Sequence, residues 1–197
     1  MKKSCLPPLP KPTEKPRALE VFGGELWSEE GDLRAPKGYR LLYLDRFAHP
    51  LDRDDPRMEM VEGWYCRLAA ERSYLGFFEA LFAKNGGEAL LFGLGADFSD
   101  PDVCVDKMER LDRIDSYIVL RLHKDLVRSE VYVVDDVTLL GFFVRGFLRE
   151  AIDGGLYFEN LDLAVIAGHD MVLPLFLGSD GAVYRELAAR WKLWLRE

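Results

Sequence analysis

Residues 130–177, EVYVVDDVTLLGFFVRGFLREAIDGGLYFENLDLAVIAGHDMVLPLFL, decide the fold. A β-like run over residues 130–134 leads into Asp136, which stands where a helix N-cap belongs. Leu140, Phe143, Val144, Phe147, Leu148 and Ala151 then recur at helical spacing, and Gly154-Gly155 ends the pattern. Three short apolar runs follow, at 156–158, 161–167 and 171–177, with Gly168-His169-Asp170 as the turn between the last two. Regular strand–helix alternation is missing, so a doubly wound sheet takes second place. The order predicts an α+β fold, with a mixed, largely antiparallel sheet and helices packed on it.

Working outward, residues 116–122 read as a second β-like run, joined to 130–134 by a polar stretch suited to a hairpin. Asp100-Pro101 is a cap followed by a first-turn proline and opens a helix through Val103, Lys107, Met108 and Leu111. Residues 89–94 form a short apolar run, a buried strand. Asp55-Pro56 repeats the cap device before a long helical pattern that includes Trp64, Leu68, Leu75, Phe78 and Phe82, and Asn85-Gly86-Gly87 stops it. Residues 39–47 read as a strand and 19–37 as irregular. At the other end, Ser179 or Asp180 caps a last helix with Val183, Leu187, Trp191 and Trp194 as its buried stripe.

The chain of 197 residues is 49% hydrophobic and holds 12 Phe, 8 Tyr and 4 Trp, too much apolar surface for a disordered protein. Five of its ten prolines (Pro7, Pro8, Pro10, Pro12, Pro16) fall in the first 17 residues, an extended or disordered arm. The expected organisation is a proline-rich basic arm over 1–17 and a single α+β domain over 18–197. Charge divides the same way. Lys2, Lys3, Lys11, Lys15 and Arg17 against Glu14 give the arm +4, so a net charge of −8 leaves −12 on the body. Such a body disfavours binding to a phosphate backbone, whose affinity comes from neutralising that charge. It favours a basic protein partner.

Three cysteines, Cys5, Cys66 and Cys104, are too few for a disulfide framework and point to free thiols in a reducing cytoplasm. Prolines replace the apolar core of an export signal, and no apolar window reaches membrane-spanning length, so no membrane partner is expected. The P-loop, Gly-x-Ser-x-Gly, His-Glu-x-x-His and Cys-x-x-Cys patterns are all missing, and Gly93-Leu94-Gly95 lacks the rest of a dinucleotide fingerprint. No cofactor or metal is expected. Asp97, Asp100, Asp102 and Asp106, and likewise Asp52, Asp54 and Asp55, read as caps and first-turn anions rather than ligands.

Two functional readings remain. The first is a non-catalytic interaction protein that binds or neutralises a basic partner, or pairs with its own copy. Adjacent aromatics such as Phe77-Phe78 and Phe142-Phe143 cannot share one helix stripe, so Phe77, Phe142 and Trp64 are the interface candidates, unless each helix is covered on two sides. The second is a small enzyme with a dispersed Asp/His site. His169 and Asp170 in their turn, Asp135 at a strand-to-helix junction, and His123 are its catalytic candidates, His169 as general base.

Overall fold

The computed structural model describes residues 6–22, 33–51, 54–57, 64–94, 98 and 100–197, with the backbone alone for Trp64 and Tyr65. Among the described residues eight strands form one sheet: β1 (Lys11–Thr13), β2 (Arg40–Asp45), β3 (Ala89–Phe92), β4 (Val131–Val134), β5 (Gly155–Phe158), β6 (Leu163–Ile166), β7 (Leu173–Leu177) and β8 (Trp194–Arg196). They lie in the order β1-β4-β3-β5-β6-β7-β2-β8, and every neighbouring pair is antiparallel. The helices are α1 (Trp64–Lys84), α2 (Pro101–Glu109), α3 (Arg113–Asp125), α4 (Val137–Leu148) and α5 (Ala182–Arg190), with 3-10 turns at Arg17–Phe22 and Glu159–Leu161. The fold is α+β.

Alternation along the strands sorts the core into two halves. Leu42, Leu44, Leu91, Val134, Leu156, Val165, Leu175 and Leu195 face the helices, within one cluster. Leu41, Leu90, Val131, Tyr157, Ala164 and Phe176 face the other way and are covered by Leu19 and Phe22 of the first 3-10 turn. Burial on both faces explains why the central strands read as continuous apolar runs.

Helix ends follow their local chemistry. Asp100, Asp112 and Asp136 each accept the free backbone N–H groups of the first turn that follows. At the end of α1, Gly86 and Gly87 take left-handed φ of 88° and 80°, and the Asn85 side chain bonds the Glu88 carbonyl and the Asn160 amide. Asp55 accepts the Arg57 amide at 2.9 Å, but residues 58–63 of the anticipated helix lie outside the described residues.

Three readings are corrected. Residues 116–122 are not a strand but the body of α3. The Asp112 cap and the burial of Asp115, Ile118, Val119 and Leu122 at helical spacing override the strand preference of Ile118-Val119. The helix over 137–148 stops six residues before Gly154, where Arg149 turns its guanidinium onto Glu71 and Glu150 adopts a φ of 53°. In the last helix the inward residues are Tyr184, Leu187 and Ala188, whereas Val183 and Trp191 are exposed and Trp194 belongs to β8. The Trp191 ring instead lies over Gly76 of α1, where a Cβ would stand 2.2 Å from it.

Phe77 and Phe142 are wholly buried, so neither is offered to a partner. Each meets its neighbour edge-on, Phe77 with Phe78 at 5.5 Å and Phe142 with Phe143 at 5.0 Å, because α1 and α4 pack against each other as well as into the core. The Trp64 side chain lies outside the described residues.

Two bidentate ion pairs seal this layer. Arg145 of α4 donates Nε and Nη2 to Asp115 of α3, both at 2.6 Å, and Asp115 is fully buried. Arg149 donates to both carboxylate oxygens of Glu71 on α1 at 2.7 and 2.9 Å, with Asp112 3.9 Å away. Burial pushes the Asp115 carboxyl upward, against the pull of the Arg145 guanidinium.

Candidate functional site

The strand register fixes which candidates can meet. Phe92 lies opposite both Val131 and Gly155, and Gly155 opposite Ile166, so the β6–β7 turn with His169 and Asp170 belongs to that end of the sheet. Ala89 lies opposite Val134 and Phe158 opposite Leu163, so Asp135 leaves the sheet at the other end. His169 and Asp135 cannot share a site. Asp135 is instead ion-paired with Lys11 of β1. His123 is turned to the Phe98 carbonyl, with Nδ1 at 2.7 Å.

At the His169 end, Glu150 organises the turn. Its Oε1 accepts the Asp170 amide at 3.0 Å and its Oε2 lies 3.5 Å from His169 Nδ1. Arg110 holds the Glu150 carbonyl at 2.8 Å, and the buried Tyr74 hydroxyl donates to the Met171 carbonyl at 2.5 Å. Glu150, Asp170 and Met171 all take left-handed backbone, with φ of 53°, 54° and 63°. Side-chain bonds thus hold this strained turn in place. Beside it opens a cleft of about 440 Å³, walled by Phe22, Phe92, Ile152 and Ile166 and edged by Arg110, Glu150, Asp153 and His169. His169 stands mostly in solvent, its side chain 80% exposed. Glu150 carried no signal in the sequence, because its strained φ falls on a residue type that gives no hint of it.

A second arrangement concerns α2 and α3. Asp102, Val105, Asp106 and Glu109 are exposed and fall at i, i+3, i+4 and i+7, so one stripe of α2 carries three carboxylates around a valine. Lys107, the only cationic residue in the α2 sequence, points inward. It is 8% exposed, with its ammonium 3.1 Å from the Ala151 carbonyl and 5.7 Å from the centre of the Phe98 ring. On the adjoining α3, Ile114, Tyr117 and Leu120 form an exposed apolar stripe, 63%, 48% and 45% accessible. Over residues 100–125 the exposed carboxylates are Asp100, Asp102, Asp106, Glu109, Asp112 and Asp125, against Arg110, Arg113 and Lys124. Reading α3 as a strand hid this stripe.

A third group lies at the far end of the sheet. The Asp162 carboxylate accepts the hydroxyls of Tyr39 at 2.6 Å and Tyr157 at 3.0 Å through one oxygen. Burial and the neighbouring carboxylate raise Tyr39 from 10.0 to about 12, and burial pushes Tyr157 upward as well. Asp162 sits at a φ of 45°, and Gly178 leaves room for it, since a Cβ there would fall 1.8 Å from Oδ2.

Among the described residues no group of three His, Cys, Asp or Glu side chains is placed to hold a metal ion. Asp97 and Asp52 lie outside those residues, Asp100 caps α2, and Cys104 is buried with its thiol 3.6 Å from the Phe98 carbonyl. No described helix is long and apolar enough to cross a membrane. Comparison with protein-family models, with curated proteins and with solved structures finds no match for this chain.

Proposed function

We propose that the chain is a non-catalytic interaction protein of the cytoplasm that binds and neutralises a basic protein partner through α2 and α3. The observation that carries this reading is the sorting of charge on α2, which turns its only cation inward and three carboxylates outward. Carboxylates on a rim set partner choice and association rate. Tyr117, Ile114 and Leu120 supply the apolar contact that charge alone lacks. The residues outside the arm, 18–197, act as one α+β domain, and their acidic balance disfavours nucleic acid.

The test is binding to immobilised polylysine at physiological salt. Asp102→Lys/Asp106→Lys/Glu109→Lys lowers the affinity at least about tenfold. Glu79→Lys/Glu159→Lys/Glu186→Lys, which changes net charge equally at other exposed positions, leaves it near that of the native chain. Equal loss in both variants, or no affinity in the native chain, overturns the reading. Light scattering on the same samples detects the homo-oligomer that would use this surface instead.

The cleft beside His169 favours a second reading, a small enzyme with a dispersed site, because its volume lies in the range of small-molecule pockets. Asp135 has no part in it. A metabolite retained in native mass spectrometry, and released by His169→Ala, would support this alternative, and an empty native chain would oppose it.

A further inference from the structure

The arm is seated on the outer edge of β4 by complementary charge. Lys11 lies opposite Val133, Pro12 opposite Tyr132 and Thr13 opposite Val131, so three residues extend the sheet. Asp135, just past the end of β4, is paired with Lys11, and Glu130, just before its start, lies 3.4 Å from the Lys15 ammonium. Four residues of extended chain separate the two lysines by about 13 Å. Further contacts come from Arg121 of α3, which donates to the Pro7 carbonyl at 2.6 Å, and from Leu6 and Leu9, which lie against the core.

This hold is light. Both ion pairs are exposed, with side-chain accessibilities of 65% and 35% for Lys11 and Asp135, and 34% and 79% for Lys15 and Glu130. Exposed pairs contribute little and are screened by salt. Pro12 lies between Lys11 and Thr13 and leaves the outer side of this edge strand without a donor. Beneath lies a strand edge bracketed by two carboxylates, and an uncovered edge recruits another strand.

We infer that the outer edge of β4 is a strand-docking site, occupied within the chain by its own arm. The segment that replaces the arm is an extended stretch of the basic partner with two cationic side chains four residues apart. The inference rests on the partner reading above and adds the mode of recognition. An attached arm competes at an effective concentration of order mM, so the entering strand needs a second contact to prevail. The α2–α3 surface provides one, and the Arg121–Pro7 bond places the arm against α3.

The probe is a fluorescein-labelled peptide copying residues 9–17, with a version carrying Glu for both lysines as control. Lys11→Glu/Lys15→Glu loosens the arm of the full chain, and that variant binds the probe at least about tenfold more tightly than the native chain. In a Cys5→Ser background, Thr13→Cys/Val131→Cys locks the arm when oxidised. That chain refuses the probe until it is reduced. Glu130→Lys/Asp135→Lys abolishes binding, whereas the α2 triple-lysine variant binds as the native chain does.

Equal binding by the native, loosened and locked chains, or binding by none, overturns the inference. So does equal loss in the α2 variant, which would make the probe a sensor of net charge. Hydrogen exchange on the unmodified chain is a check that needs no variant. The Lys11 and Thr13 amides exchange well ahead of those of Leu90 and Leu91, and exchange of both sets together overturns the light hold. A native chain that does not bind polylysine, together with a loosened chain that binds the probe, would fail the partner reading alone.

Discussion

The helix layer and the arm both rely on ion pairs, yet the two sets do opposite work. Arg145–Asp115 and Arg149–Glu71 are bidentate and enclosed between α1, α3 and α4, where removing one partner strands a charge away from water. Lys11–Asp135 and Lys15–Glu130 sit in solvent at the sheet edge, where water and salt replace either partner. The same chemistry fixes helix positions in one place and makes a reversible fastening in the other. Burial decides which.

The comparison breaks most directly at Arg145. Arg145→Met leaves Asp115 buried without its main partner and costs about 3–5 kcal/mol, read from the urea midpoint. Adding Asp115→Leu restores most of that loss, because a pair removed whole leaves no stranded charge. An additive double variant would show that the site is held by packing and not by charge.

Asp162 stands between the two extremes, half-buried under two phenols. Gly178→Ala drives a methyl into its carboxylate and costs about 1–3 kcal/mol, together with the Tyr39 and Tyr157 bonds. Tyr39→Phe removes one of those bonds for about 1 kcal/mol. The native phenol is neutral when protonated, and the fold raises it from 10.0 to about 12. Its contribution to stability is therefore complete below pH 10 and falls as the pH climbs toward 12. Tyrosinate absorbance followed with the urea midpoint checks the sign, and a midpoint that rises over that range would refute it.

The smallest effect belongs to the arm. Lys11→Glu/Lys15→Glu leaves the global midpoint where it was while accelerating amide exchange in β1 alone. A matching drop in the midpoint would move the arm into the same class as the helix layer.

Much of the fold was legible because its punctuation is local. Asp100, Asp136 and Asn85-Gly86-Gly87 mark helix ends within a few residues, and alternating burial marks the strands. Residues 116–122 misled because Ile118-Val119 looks like a strand from any short window, while the deciding cap, Asp112, lies four residues upstream. The candidate site was less legible, since it depends on strand order. No local pattern says that β4 and β6 leave Asp135 and His169 at opposite ends. Phe77 and Phe142 look like interface residues from the sequence because it does not reveal that α1 packs on α4. The acidic stripe of α2 was visible as a composition, but the inward turn of Lys107 was not.

The pairing of the arm also has a consequence in time. Lys11 and Asp135 are 124 residues apart in the chain, so β1 is translated well before the strand it pairs with. Contacts this distant in sequence form late. The seams of β2 with β7 and β8 join residues farther apart still, Arg40 with Leu177 and Tyr43 with Arg196, so they close after it.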